Sequence, residues 1–264
     1  MDDKEFWRLA RAYDDEFFQK ILNEVVKRRT YTLHLAMPKS GSTWLTQILK
    51  KIWLAKGGAV SKLVSVYEDK PQEIEPRRFF NEESKDIFFV QQHLMYSAYS
   101  ERLLRATETK VIFQYRNIAD VMISLADMIE DQIFGSQNGI EGLSQPLVKN
   151  LSRDEIKDFI LDVELPWYCK FYQGWMNSSL RRSDRFIEIK YEELVDAPAH
   201  TVSRLCDRLA LDIDMDKLEV ILNTVGDGFT RKNVGTVGRG EKEFAPRQLD
   251  KLKKVLRYYG MSLS

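Results

Sequence analysis

The stretch LHLAMPKSGSTWLTQILKKIW, residues 33 to 53, passes from an apolar β-like run through a tight turn into a helical pattern. After the turn Trp44, Leu45, Ile48, Leu49 and Ile52 recur at helical spacing, giving the helix one apolar stripe. A strand feeding a helix through so short a loop is the opening unit of an α/β sheet. The rest of the chain repeats the alternation. DIFFVQQ (86–92), KVIFQYR (110–116) and RFIEIKY (185–191) are short, apolar and β-rich, as strands buried on both faces are. Helical patterns follow over 117–129, with Asn117 as N-cap, and over 153–177, 198–210, 214–224 and 246–259. The expected fold is α/β: a single domain over 1–264, with a central, mostly parallel sheet flanked by helices and a P-loop-like phosphate-binding loop after strand one. Residues 1–29 read as an amphipathic helical lead-in, and 131–152, rich in Gly, Ser and Asn without periodicity, as a lid loop. Residues 225–245 read as a glycine-rich basic loop.

The first loop has an unusual order. A nucleotide kinase or GTPase loop ends G-K-[ST], whereas here Lys39 precedes the single Gly41. Backbone N–H groups at the helix start, the hydroxyls of Ser42 and Thr43 and the charge of Lys39 still suit an anion. No strand-end carboxylate stands out to help hold magnesium on a β,γ-phosphate bridge, which a kinase would need. Arg116 lies at the carboxyl end of a strand, the edge where open α/β sheets bind ligands. Its guanidinium fork suits a phosphate dianion, and Ser124 lies two helical turns further on. His93 follows another strand end, where a neutral imidazole can accept a hydroxyl proton.

Composition narrows the partners. Forty Lys plus Arg balance forty Asp plus Glu, so bulk charge gives no grip on nucleic acid or membrane. No apolar run reaches the ~20 residues of a membrane-spanning helix, and the charged N-terminus lacks a signal-peptide core. Two cysteines, Cys169 and Cys206, make no disulfide framework. The expected setting is cytoplasmic.

PKSGSTWL, the QHL histidine, YRNIADVMIS, IKYEEL and the late TRKNVGTVGRG occur together in a recognisable order. From roughly residue 30 to 250 the chain resembles the cytosolic-type sulfotransferases. The resemblance implies 3′-phosphoadenosine-5′-phosphosulfate (PAPS) as donor, adenosine 3′,5′-bisphosphate (PAP) as product, and no metal. It implies a small-molecule or carrier-bound hydroxyl acceptor, less readily an amine. By the same resemblance Lys39 reaches the oxygen joining phosphate to sulfur, and Ser40, Gly41, Ser42 and Thr43 cradle the 5′-phosphate. Trp44 packs on the adenine, and Tyr191 approaches the adenine edge. Arg116 and Ser124 hold the 3′-phosphate, joined by Arg231, Lys232 and Asn233. His93 falls on the catalytic base.

The sequence also departs from the family. Gln91 stands where a lysine often precedes the histidine by two residues, removing a charge from the site. Asn233 replaces the glycine of R-K-G, and VGTVGRG replaces the G-D-W that often follows. KNVGTVGRGE (232–241) fits the K-x-x-x-T-V-x-x-x-E dimer motif of animal members, but it overlaps the phosphate-binding pair and is read as fortuitous. Monomer and homodimer both fit. Phe79, Phe80, Tyr96, Tyr99, Phe134, Trp167, Tyr168 and Phe171 hint at a hydrophobic acceptor pocket, although PWYCKFYQGW has the spacing of a core helix. Two rivals remain: a magnesium-dependent small-molecule kinase, and a nucleotide-binding sensor without chemistry.

Overall fold

The computed structural model describes residues 29–63, 73–74, 76–79, 84–130, 150–226 and 236–263. The lead-in helix, Phe80, Phe134, nearly all of the lid, and Arg231, Lys232 and Asn233 lie outside the described residues.

Five strands, β1 (Thr30–Ala36), β2 (Ala59–Ser61), β3 (Asp86–Gln92), β4 (Lys110–Tyr115) and β5 (Phe186–Lys190), form one sheet in the order β2-β3-β1-β4-β5. Every pairing is parallel, with Leu33 opposite Phe89 on one side and Val111 on the other. The expected α/β domain with a parallel sheet is what folds. Helices α1 (Ser42–Ala55), α2 (Ala98–Ala106), α3 (Ile118–Glu130), α4 (Arg153–Phe159) and α5 (Leu165–Met176) follow in chain order. After β5 come α6 (Tyr191–Asp196), α7 (Pro198–Leu209), α8 (Met215–Gly226), α9 (Gly240–Glu243) and α10 (Pro246–Tyr258).

Strand alternation divides the core in two. Tyr31, Leu33 and Leu35 of β1 pack with Phe89, Phe113 and residues of α3 and α5. The opposite face takes Phe88, Ile112, Ile187 and Ile189 against Leu45, Ile48, Leu49 and Ile52 of α1 and against α7. On that face β1 presents Thr32, His34 and Ala36, all buried, so polar groups enter the sheet beside α1.

The structure corrects three expectations. The helix over 153–177 is broken by a π-helical segment, Ile160–Glu164. Pro166, at the start of α5, has no N–H to give the preceding turn, so the regular ladder lapses there. Phe79 belongs to the core, edge-on to Tyr31 at 5.1 Å and to Phe89 at 5.4 Å, and Phe171 is fully buried with it. The 225–245 segment is not loop throughout, because α8 reaches Gly226 and Gly240–Glu243 is a helical turn.

Candidate active site

The phosphate-type loop joins β1 to α1 and is shaped by its backbone. Lys39 and Gly41 are both left-handed, at φ 65° and 75°. Ser40 between them is fully buried, and its N–H (3.3 Å) and hydroxyl (2.6 Å) both donate to the Met37 carbonyl. Its own donors therefore close the turn. A side chain at position 41 would collide with Tyr191, whose Cε2 lies 2.7 Å from where a Cβ would stand. Glycine is required there both for backbone conformation and for contact. Gly41 is also the N-cap of α1, with no side chain to cover the first amides and no acidic residue in the first turn. The positive end of the helix is left to an anion. Ser42 is buried, Thr43 is exposed, and half-buried Trp44 leans on the second core cluster.

Arg116, one residue past β4, is the centre of the arrangement. Its guanidinium lies 4.3 Å from the centroid of the Tyr191 ring, a cation–π contact. Nη1 donates to the Lys39 carbonyl at 3.4 Å, and Nη2 to the Thr236 carbonyl at 3.2 Å and faces Asp120 at 3.7 Å. Nε is buried and has no partner among the described residues. An orphaned charged donor beside an open helix start is the fit expected of a phosphate site. Ser124, one turn beyond Asp120 on α3, is buried. Asn117 caps α3 as expected, its Oδ1 accepting from Ala119 (3.0 Å) and Asp120 (3.3 Å).

Asp120 has a larger part than its sequence position advertises. One carboxylate oxygen accepts the Gly238 N–H and the other the Gly240 N–H, each at 2.7 Å. A Cβ on Gly240 would stand 2.3 Å from the Ala119 carbonyl carbon, so only glycine can lie this close to α3. The segment returning from the basic pair is thus bolted beside Arg116. Further along α3, Asp127 pairs with Arg239 at 2.8 Å and Arg153 at 2.9 Å, and both arginines reach Glu243.

His93 follows β3, next to β1 in the sheet. Its Nδ1 lies 2.7 Å from the Ala36 carbonyl, three residues before Lys39. A carbonyl only accepts, so Nδ1 carries the proton and Nε2 keeps its lone pair. Burial holds the imidazole below its ordinary pKa, hence neutral at physiological pH. Residues at the carboxyl ends of β3, β1, β4 and β5 therefore line one edge: His93, the Lys39–Ser42 loop, Arg116 and Tyr191.

His34 gives a prediction of its own. It is wholly buried in β1, and burial takes its pKa down to about 3. Since its folded pKa lies below the unfolded one, the unfolded chain takes up more protons in acid. The contribution of His34 to stability should be full above about pH 6.5 and be lost at roughly 1.4 kcal/mol per pH unit below it. Denaturant midpoints between pH 7 and 4 measure this, and His34→Leu should reduce the slope, leaving the part that His93 contributes.

The sulfotransferase domain family matches residues 29–234, and the chain belongs to this PAPS-dependent sulfotransferase family as an enzyme of that class. It is 23% identical to mouse sulfotransferase 2A2 over 276 aligned positions, covering 94% of this chain and 90% of the relative. With guinea pig 3-beta-hydroxysteroid sulfotransferase the identity is 21%, over 92% of this chain and 88% of the relative. Mouse sulfotransferase SULT7A1, solved with PAP, shares the fold at a TM-score of 0.63 and 13% identity, covering 93% and 88% of the two chains. Retinol dehydratase, solved with androsterone and PAP, does so at 0.58 and 13%, covering 92% and 84%.

Among the described residues no cluster of His, Cys, Asp or Glu could hold a metal ion, and no helix is long and apolar enough to cross a membrane. Cys169 and Cys206 are free and buried, their thiols pushed up to about 12 and about 11. Of the aromatic residues expected at the acceptor side, Tyr96 and Trp167 line an open cavity of about 520 Å³ with Met95, Val163, Pro166 and Lys170. Tyr168 is core, and Tyr99 packs half-buried against the core.

Proposed function

We propose that the protein transfers a sulfuryl group from PAPS to a hydroxyl of a small, hydrophobic acceptor, with His93 as general base. The observation that carries this reading is the meeting of Gly41, Tyr191 and the orphaned Arg116 Nε at one strand edge, beside an uncapped helix start. PAPS, when bound, supplies the sulfuryl group and a bisphosphate leaving group, and PAP is the product. Lys39, Ser42, Thr43 and the Gly41 amide hold the 5′-phosphate, while Ser40 shapes the turn they stand on. Arg116 and Ser124 take the 3′-phosphate, with Arg231, Lys232 and Asn233 as further partners. Trp44 and Tyr191 flank the adenine. His93 Nε2 takes the acceptor proton, and Lys39 with the loop amides stabilises charge developing at the leaving oxygen. Gln91, a neutral amide, can donate a hydrogen bond where a lysine would bring charge. The names of two relatives, a 3-beta-hydroxysteroid sulfotransferase and a retinol dehydratase holding androsterone, favour an apolar alcohol as acceptor. The two free thiols accord with a cytoplasmic setting.

Calorimetric titration tests the reading. PAP should bind tightly with or without magnesium, and ADP should bind at least tenfold more weakly. Sulfation of a hydroxysteroid from PAPS should proceed unchanged in EDTA. A preference for ADP with magnesium would turn the assignment to a kinase, and PAP binding without turnover of any hydroxyl acceptor would turn it to a sensor.

A further inference from the structure

The proposed chemistry leaves one buried polar chain unused. Gln114, fully buried in β4, donates from Nε2 to the Ser40 carbonyl at 2.5 Å. Because a carbonyl only accepts, this contact fixes which way the amide faces, and turns Oε1 toward His34. His34 Nε2 lies 2.8 Å from that oxygen and must be the donor. Its Nδ1 is then the acceptor, and the Thr46 hydroxyl stands 2.8 Å away to supply the hydrogen. Gln91 Oε1, two residues before His93, lies 3.1 Å from the same hydroxyl and competes for its one hydrogen; with that hydrogen on His34, the Gln91 amide turns over and donates its N–H to the Thr46 oxygen. Every hydrogen from Thr46 to Ser40 has one consistent direction. The route runs through the sheet face that otherwise packs apolar residues on α1.

A buried polar chain in an apolar layer needs a reason, since apolar side chains of similar shape would stabilise the fold as well. The reason is found at its end. In a trans peptide the C=O and the following N–H point in opposite directions, and the chain has no cis bond among the described residues. Pinning the Ser40 carbonyl inward therefore turns the Gly41 N–H outward, toward the anion. Of the two left-handed flanking residues, Lys39 is not a glycine and would gain by relaxing. Ser40's own donors hold only the Met37 side of the turn. Gln114 holds the other.

We infer that His34 and Gln114 are positioning residues of the donor cradle: by fixing the Ser40–Gly41 peptide plane they present the Gly41 N–H to the 5′-phosphate. The inference rests on the PAPS reading above and adds to it the residues that set its phosphate geometry. They touch neither donor nor acceptor.

The test compares two nucleotides on the full chain by calorimetry. PAP carries the 5′-phosphate that the cradle would hold, and adenosine 3′-monophosphate lacks it. The parent should bind PAP much more tightly than the monophosphate. Gln114→Leu should weaken PAP by about tenfold or more and leave the monophosphate within twofold, so that the preference shrinks by the same factor. His34→Leu combined with Gln114→Leu removes the pair without leaving a histidine nitrogen unpaired, and should show the same loss if the single variant is too unstable to measure. A general loss of structure would weaken both ligands together, and that outcome overturns the inference. An unchanged preference in a folded variant overturns it as well. A parent that does not bind PAP overturns the donor reading itself, and the inference with it, which is a different result from a parent that binds and a variant that binds equally.

Discussion

His93→Ala should reduce kcat by about 10²–10⁴-fold, the range a positioned general base supplies, while leaving the Kd for PAP within about twofold. The separation follows from position. His93 stands at the end of β3 and donates to the Ala36 carbonyl, whereas the proposed phosphate contacts belong to the loop, Arg116 and their neighbours. His93→Asn sharpens the test, because an asparagine amide nitrogen can still donate to Ala36 but offers no basic nitrogen in place of Nε2. If Asn restored turnover, the imidazole would be holding the strand end and not accepting a proton. The pH profile supplies an independent check. Burial holds the pKa of His93 below the ordinary histidine value, so the imidazole is already unprotonated at neutral pH, as the proposed base must be. Then kcat/KM should be level through neutrality and fall only as pH drops below about 6.5. An acid limb centred above that value would assign the base to another group.

Much of this site was legible in the sequence because its parts are local. A strand, a turn and an amphipathic helix show themselves by period, and β1 (announced by YTLHLAM, 31–37), β3, β4 and β5 fall within one or two residues of their apolar runs. The placement of Lys39, His93 and Arg116 at strand ends needed nothing beyond those runs. β2 went unseen because three residues, Ala59–Ser61, carry no periodicity. The contribution of Asp120 was hidden for another reason. Its partners, Gly238 and Gly240, lie 118 and 120 residues away, and nothing in either local pattern couples them. A polar residue at a helical position facing inward, followed much later by two glycines two apart, is the only trace. His34 left a clearer one: a histidine inside the alternation of LHLAM, on a strand buried on both faces, has to find partners. The sequence supplies the demand, and only the sheet order shows that Gln114 on β4 and Thr46 on α1 meet it.

Arg116→Lys should raise the Kd for PAP by about 30- to 100-fold although the charge is kept, equivalent to ~2–2.7 kcal/mol. The reason lies in what the guanidinium does with its plane. One face rests on Tyr191, its two terminal nitrogens reach the carbonyls of Lys39 and Thr236, and Nε has no partner among the described residues, which leaves it for the proposed phosphate contact. An ammonium has neither the fork nor the flat face, so it cannot hold both segments and a phosphate oxygen at once. Lysine would also leave the Asp120 pairing to a mobile chain, although Asp120 keeps its two glycine amides. The returning segment should therefore stay docked, and the loss should appear in nucleotide affinity more than in thermal stability. Comparing PAP with adenosine 5′-monophosphate locates the effect. If Arg116 holds the 3′-phosphate, the variant binds the 5′-monophosphate almost as the parent does and loses its preference for PAP. Equal losses for both ligands would instead make Arg116 a brace between the loop and the Thr236 segment, and would move the 3′-phosphate contact to another basic residue.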